Sequence, residues 1–309
     1  MILTTLIATM TLGTGNPAPL PYGERRGIQA LYFARFPPEY VQSICDALDT
    51  APDKKKLEIA MCPAFAAASQ EWLNVNAAID RLKDRDLYVT IHFGHHSMAT
   101  DYTLDGWADS FYDHVFSSNY SRAKFCISMA NEDKYTDSKW KALMTSFIKR
   151  LKADWDEDHS TDGKKFPVGS LIVRRNTLTG STLNGKFKVE GIKKDFATES
   201  EYHFPEDGSQ RNLATSGYSV FCNDGQVVYD TAQGEGSHLA KNKSGHFLAS
   251  MTMKNFKKKW GGRQLLLWHP QFHLWPLENG IFMYKDPREL PSANLQAYMV
   301  EVIKDFVRN

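Results

Sequence analysis

Asn131-Glu132 closes an apolar run, Lys124 to Ala130, and a carboxyl group that emerges at the end of such a run suits proton transfer. Hydrolysis of a glycosidic bond needs two such groups flanking the bond, one protonated to assist the leaving group and one ionised as nucleophile or base. A second carboxyl group must therefore be found elsewhere in the chain. A second cluster is Ile91-His-Phe-Gly-His-His96, where His92, His95 and His96 could hold zinc or iron if Asp101 or His269 completed the set. Neither a His-x-His nor a His-Glu-x-x-His arrangement occurs, so no metal or other cofactor is expected. Arg174-Arg175-Asn176 could bind a carboxylate or sulfate through a guanidinium fork, or could neutralise Glu132 or Asp133. The segment Trp268-His-Pro-Gln-Phe-His-Leu-Trp275 gathers aromatic faces and hydrogen-bonding groups as a sugar subsite does.

These residues recur at one kind of place. From Gly27 onward, short apolar runs alternate with amphipathic stretches long enough for helices, the pattern of βα units on a parallel sheet. Strands are expected at 27–35, 57–65, 87–94, 124–132, 168–175 and 264–269. Helices are expected from Pro37-Pro38 to Ala47, around Trp72 to Leu82, from Leu104 to Phe116, after a cap at Asp137 or Ser138, from Phe247 to Trp260, and from Asn294 to Val307. The rhythm breaks between about 177 and 245, where Gly-rich turns separate short alternating segments. There, Tyr218 to Tyr229 reads equally as a hairpin around Asn-Asp-Gly or as one more parallel strand.

The expectation is a (β/α)8 TIM-type barrel with an irregular β-rich segment after strand five, and an open doubly wound sheet is the alternative. The organisation expected is an arm or edge strand over 1–26, then one domain over 27–309 with the β-rich insertion at about 177–245. No Gly-x-Gly-x-x-Gly turn follows the first strand and no phosphate loop occurs. In a barrel the chemistry gathers at the strand carboxyl ends, which singles out Arg35, Glu132, Arg174, Asn176, Trp268 and His269, together with His92, His95 and His96.

With Asn131-Glu132 at the end of the fourth strand and Trp268 at the end of the last, the sequence resembles the clan A glycoside hydrolases. The resemblance implies that Glu132 is the acid/base, that Asn131 holds the sugar 2-hydroxyl and that Trp268 is a platform beneath the sugar. It also implies a second carboxylate on strand seven, provisionally Asp224, with Glu201 and Glu206 in reserve and Glu235 further behind. The expected function is therefore a glycoside hydrolase acting on a polysaccharide or glycan, with His92, His95, Arg35, Arg174, Asn176, His269 and Gln271 lining the substrate. One rival is a metal-dependent barrel hydrolase, such as a carbohydrate deacetylase, built on His92, His95 and His96. Another is a barrel that binds carbohydrate without cleaving it.

Composition excludes little but points the same way. Across 309 residues, 37 Lys and Arg face 36 Asp and Glu, so no global field draws the chain to nucleic acid or an anionic membrane. The basic run Lys254 to Arg263 reads as a solvated helix face. Hydrophobic residues make up 42%, enough for a sizeable core. Cys45, Cys62, Cys126 and Cys222 form no CxxC pair and read as buried thiols. Residues 1–13 are apolar but lack the basic start of a secretory signal, which leaves the compartment and the oligomeric state open.

Overall fold

The computed structural model describes residues 25–30, 33–53, 56–62, 69–94, 101–130, 133–176, 183, 186–203, 218–222, 264–268, 275–276, 282–283 and 293–308. Its centre is a mostly parallel sheet alternating with helices, as expected for an α/β chain. The strands are β1 (Arg25–Gln29), β2 (Lys56–Met61), β3 (Leu87–His92), β4 (Lys124–Ser128), β5 (Leu171–Asn176), β6 (Lys186–Phe187), β7 (Phe196–His203), β8 (Tyr218–Cys222) and β9 (Gln264–Trp268). A separate short antiparallel pair joins β10 (Trp275–Pro276) to β11 (Phe282–Met283).

Strands β1 to β5 follow one another across the sheet in chain order, each parallel to the next. Strand β9 pairs with β1, β8 with β9 and β7 with β8, again in parallel. Strand β7 also pairs in parallel with β5, and among the described strands of this sheet only the two-residue β6 runs antiparallel to its neighbour. Both β7 and β8 lie within 177–245, where the rhythm of the sequence breaks, and both join the main sheet. The reading of Tyr218–Cys222 as a parallel strand is the one observed, and 223–229 lies outside the described residues. The first strand begins at Arg25, two residues before the boundary expected at Gly27.

The helices are α1 (Pro38–Asp49), α2 (Ser69–Arg81), α3 (Asp101–Phe111), α4 (Ser117–Asn119), α5 (Asp137–Asp158) and α6 (Ala293–Arg308), with a π turn over Tyr112–Phe116 between α3 and α4. Pro37-Pro38 opens α1 because a proline in the first turn gives up an amide that would lack a partner anyway. The cap of α5 is Thr136, whose hydroxyl accepts from the Lys139 amide, and not Asp137 or Ser138; the extended backbone of Thr136 fits a cap, whereas Asp137 is already helical. Residues Val168–Ser170, expected to start strand five, form a 3-10 turn after Pro167. Helix 247–260 lies outside the described residues.

Alternation along each strand sends Ile28, Leu57, Ile59, Val89, Ile91, Phe125, Ile127, Leu171 and Val173 to the face that the helices cover. Phe93, Phe111, Phe116 and Phe147 fill the layer between, with ring centres 4.5 to 6.4 Å apart. None of the described helices is long and apolar enough to cross a membrane.

Candidate functional site

The opposite face of the sheet is just as buried, yet it is charged. Glu58 on β2 is fully buried and accepts from Arg25 Nη1 at 2.8 Å, from the Thr90 hydroxyl at 2.7 Å and from Arg174 Nη1. Glu199 on β7 accepts from Arg25 Nη2, and its other oxygen accepts from Arg174 Nε at 3.1 Å and Nη2 at 2.5 Å. Two guanidiniums and two carboxylates thus bond one another directly. Arg25 also lies 3.9 Å from the centre of the Tyr88 ring, a cation-π contact. Burial alone would raise the Glu58 carboxyl, but Arg174 and Arg25 outweigh it and hold the group at about 2. The Cys126 thiol in the same layer is pushed by burial up to about 12 and is not a nucleophile there. Gly27 faces Glu58 across the β1–β2 pairing, and a Cβ on it would stand 1.8 Å from the Glu58 carbonyl oxygen, so only glycine allows this approach.

One layer toward the strand carboxyl ends, the period of two carries His92 above Thr90 and Ser128 above Cys126; the two are register partners and both fully buried. Ser128 donates to the Ala130 carbonyl at 2.9 Å. Asn176 and Glu201 occupy the same level on β5 and β7, again as register partners. Beyond β2, the Cys62 thiol donates to the Gly94 carbonyl at 3.5 Å, and burial pushes it up to about 12.

The chain leaving β4 is fastened to β5 by a second, separate charged group. Arg175 grips Asp133 with Nε at 3.1 Å and Nη2 at 3.2 Å, donates to the Tyr135 carbonyl at 2.9 Å and to Asp137 at 2.6 Å, and lies 5.4 Å from the Trp140 ring centre. Asp133 accepts in turn from the Tyr135 amide at 3.2 Å. Burial lifts its carboxyl above the ordinary range, and the Arg175 hydrogen bonds oppose the lift.

The expected split of the two arginines is therefore observed: Arg174 turns to the charged face and Arg175 toward α5. Arg174 does not act as an open anion fork, because Glu58, Glu199 and Thr90 already take its donors. Arg35 lies in a 3-10 turn after β1 and not on the strand, half-exposed and bonded to buried Glu71 at 3.0 Å. Trp268 is the last residue of β9 and Glu201 lies within β7. Asn131, Glu132, Glu206, Asp224, Glu235, His95, His96, His269, Gln271 and the run 254–263 lie outside the described residues. Among the described residues no three His, Cys, Asp or Glu side chains gather as a metal site.

Sequence reading missed Arg25, Glu58, Thr90 and Glu199. The signal was present in Leu57-Glu-Ile-Ala-Met, where a charge inside a continuous apolar strand requires a buried partner. Comparison with protein families and with curated proteins finds no match for this chain.

Proposed function

We propose that the sheet is a (β/α)8-type barrel and that the protein hydrolyses glycosidic bonds at its strand carboxyl ends, with Glu132 as acid/base. Four observations support the barrel. Glu58 on β2 touches Arg174 on β5, and Arg25 on β1 touches Glu199 on β7. In a flat sheet with strands about 4.8 Å apart, β2 and β5 would stand about 14 Å apart, too far for a salt bridge. Each of the eight parallel strands pairs with two others once the β5–β7 and β9–β1 pairings are included. Followed from Gly27 to Glu58, to Tyr88, to Lys124 and onward through every pairing, the register returns to β1 eight residues out of step, the stagger of an eight-stranded barrel.

The observation that carries the functional reading is strand order. Counting parallel strands along the chain, β4 is fourth, β8 seventh and β9 eighth. Asn131-Glu132 follows β4 by three residues, Asp224 follows β8 by two, and Trp268 ends β9. These are the strands that carry the acid/base with its asparagine, the second carboxylate and the aromatic platform in clan A enzymes. The order favours Asp224 over Glu201, which lies on the sixth parallel strand, and over Glu206, which follows it. His92 and Ser128 would form the floor beneath the sugar, resting on the charged layer.

The test is Glu132→Gln assayed on a panel of methyl, 4-nitrophenyl and 2,4-dinitrophenyl glycosides of common hexoses and on the corresponding disaccharides. Turnover of the disaccharides should fall by about 100- to 10,000-fold, the usual worth of general acid/base help. Full activity in that variant removes Glu132 from the mechanism.

A further inference from the structure

The group formed by Arg175, Asp133 and Asp137 is not part of the charged layer and has no place in the reaction as described above. We infer that Arg175 is a positioning residue: it holds the chain leaving β4 against β5 and so fixes the direction from which Glu132 delivers its proton. This deepens the glycosidase reading and rests on it.

The geometry is specific. All three nitrogens of the Arg175 guanidinium are engaged, and their four hydrogen bonds go to two side chains and one carbonyl within the five residues Asp133 to Asp137. Arg175 and Asp133 are almost wholly buried, at 2% and 0% exposure, so water does not weaken the pair as it would at the surface. Asp133 is bonded to the residue after Asn131, and successive Cα atoms stand about 3.8 Å apart, so anchoring Asp133 constrains the peptide that carries Glu132. Displacing a catalytic group by about 1 Å can cost about 100-fold in rate. Strand β5 is a suitable anchor, since it is paired on both sides. The Asp137 contact also ties the first turn of α5 to the same guanidinium, and Trp140, one turn along, lies beside it.

Arg175→Lys is the discriminating variant, because an ammonium keeps the charge but cannot make the planar fork. For the sugar that the wild type hydrolyses, kcat on the methyl glycoside should fall at least about tenfold while KM stays within about twofold, since the loss lies in transition-state geometry. On the 2,4-dinitrophenyl glycoside of the same sugar, whose leaving group needs little protonation, kcat/KM, which reports departure of that group alone, should fall less than about threefold. A merely structural loosening would lower both alike. Asp137→Ala, which removes one prong at an exposed side chain, should give the same pattern more weakly and stands in if Arg175→Lys does not fold.

Equal loss on both glycosides, or no loss while Glu132→Gln is crippled, overturns the positioning role and leaves the glycosidase reading intact. If the wild type cleaves no glycoside of the panel, the glycosidase reading fails first and the positioning role fails with it. Amide exchange over 133–140 then shows whether the anchor itself is real: exchange at least about tenfold faster in Arg175→Lys upholds it, and unchanged exchange overturns it as well.

Discussion

The two faces of this sheet are buried to the same depth by opposite means. Against the helices, the strands present Ile, Leu, Val and Phe to a layer of aromatic rings, and the requirement there is volume and packing. On the other face, Arg25, Glu58, Thr90, Arg174 and Glu199 satisfy one another through fixed bonds from β1, β2, β3, β5 and β7. Apolar packing tolerates a slide of one strand past another if volume is kept, whereas the charged set does not, because each bond joins particular levels on particular strands. The expectation is that the helix-covered face supplies most of the stability and that the charged face specifies register.

The difference can be broken from the charged side first. Glu58→Gln leaves Arg25 and Arg174 buried with half their counter-charge and should cost about 4 kcal/mol in urea unfolding at pH 7. The pH dependence has a definite sign. Glu58 is held at about 2 against an ordinary 4.5, so its stabilisation is present above pH 4.5 and is lost as pH falls toward 2. Wild type should lose stability across that window more steeply than Glu58→Gln. On the packed face, Leu143→Ala in α5 should cost about 3 kcal/mol, mostly through the cavity left under the rings, with no change in acid sensitivity. Replacing all four charges together, with Arg25→Met, Glu58→Leu, Arg174→Met and Glu199→Leu, should change stability by no more than about 2 kcal/mol and is as apt to raise as to lower it. A loss as large as that of Glu58→Gln alone would mean that the charges stabilise the fold instead of specifying it.

The packed face was legible in the sequence and the charged one largely was not. Strands β2, β3 and β4 and helices α1, α2, α5 and α6 stand out because burial against a single helical layer writes itself as periodicity. Strand β7, Phe-Ala-Thr-Glu-Ser-Glu-Tyr-His, has almost no apolar periodicity, because Glu199 serves the charged set and Thr198 and Ser200 are small and polar. Hydrophobic pattern cannot reveal a strand whose buried side is ionic. The same applies to partners: the pairing of Arg174 with Glu58 spans 116 residues, and a single sequence offers no cue to so distant a match. The Arg175 grip on Asp133 was legible, since an arginine beside a strand-end carboxylate tends to pair with it, and Asp133 was one of the two partners expected.

A smaller test compares the charged face with a charge on the helical side that lacks a matched set. Asp154 in α5 is mostly buried and bonds Arg150 at 3.2 Å, but Arg150 also serves Asp109 at 2.5 Å, and Asp113 is near. Burial first, then the neighbouring Asp109 and Asp113, lifts its carboxyl to about 6, with Arg150 opposing the lift. Because the folded group titrates above its ordinary 3.8, it favours the fold at low pH, and that contribution is lost as pH rises through about 6. Asp154→Asn removes the ionisation while keeping the shape. It should stabilise the protein by about 1 kcal/mol at pH 7.5, after allowance for solvent screening, and by nothing at pH 4. Urea midpoints of the two proteins should therefore coincide at pH 4 and separate above pH 6. Midpoints that separate in the opposite sense, with the variant weaker at pH 7.5, would show that the Arg150 bond outweighs burial and that Asp154 is as well matched as Glu58.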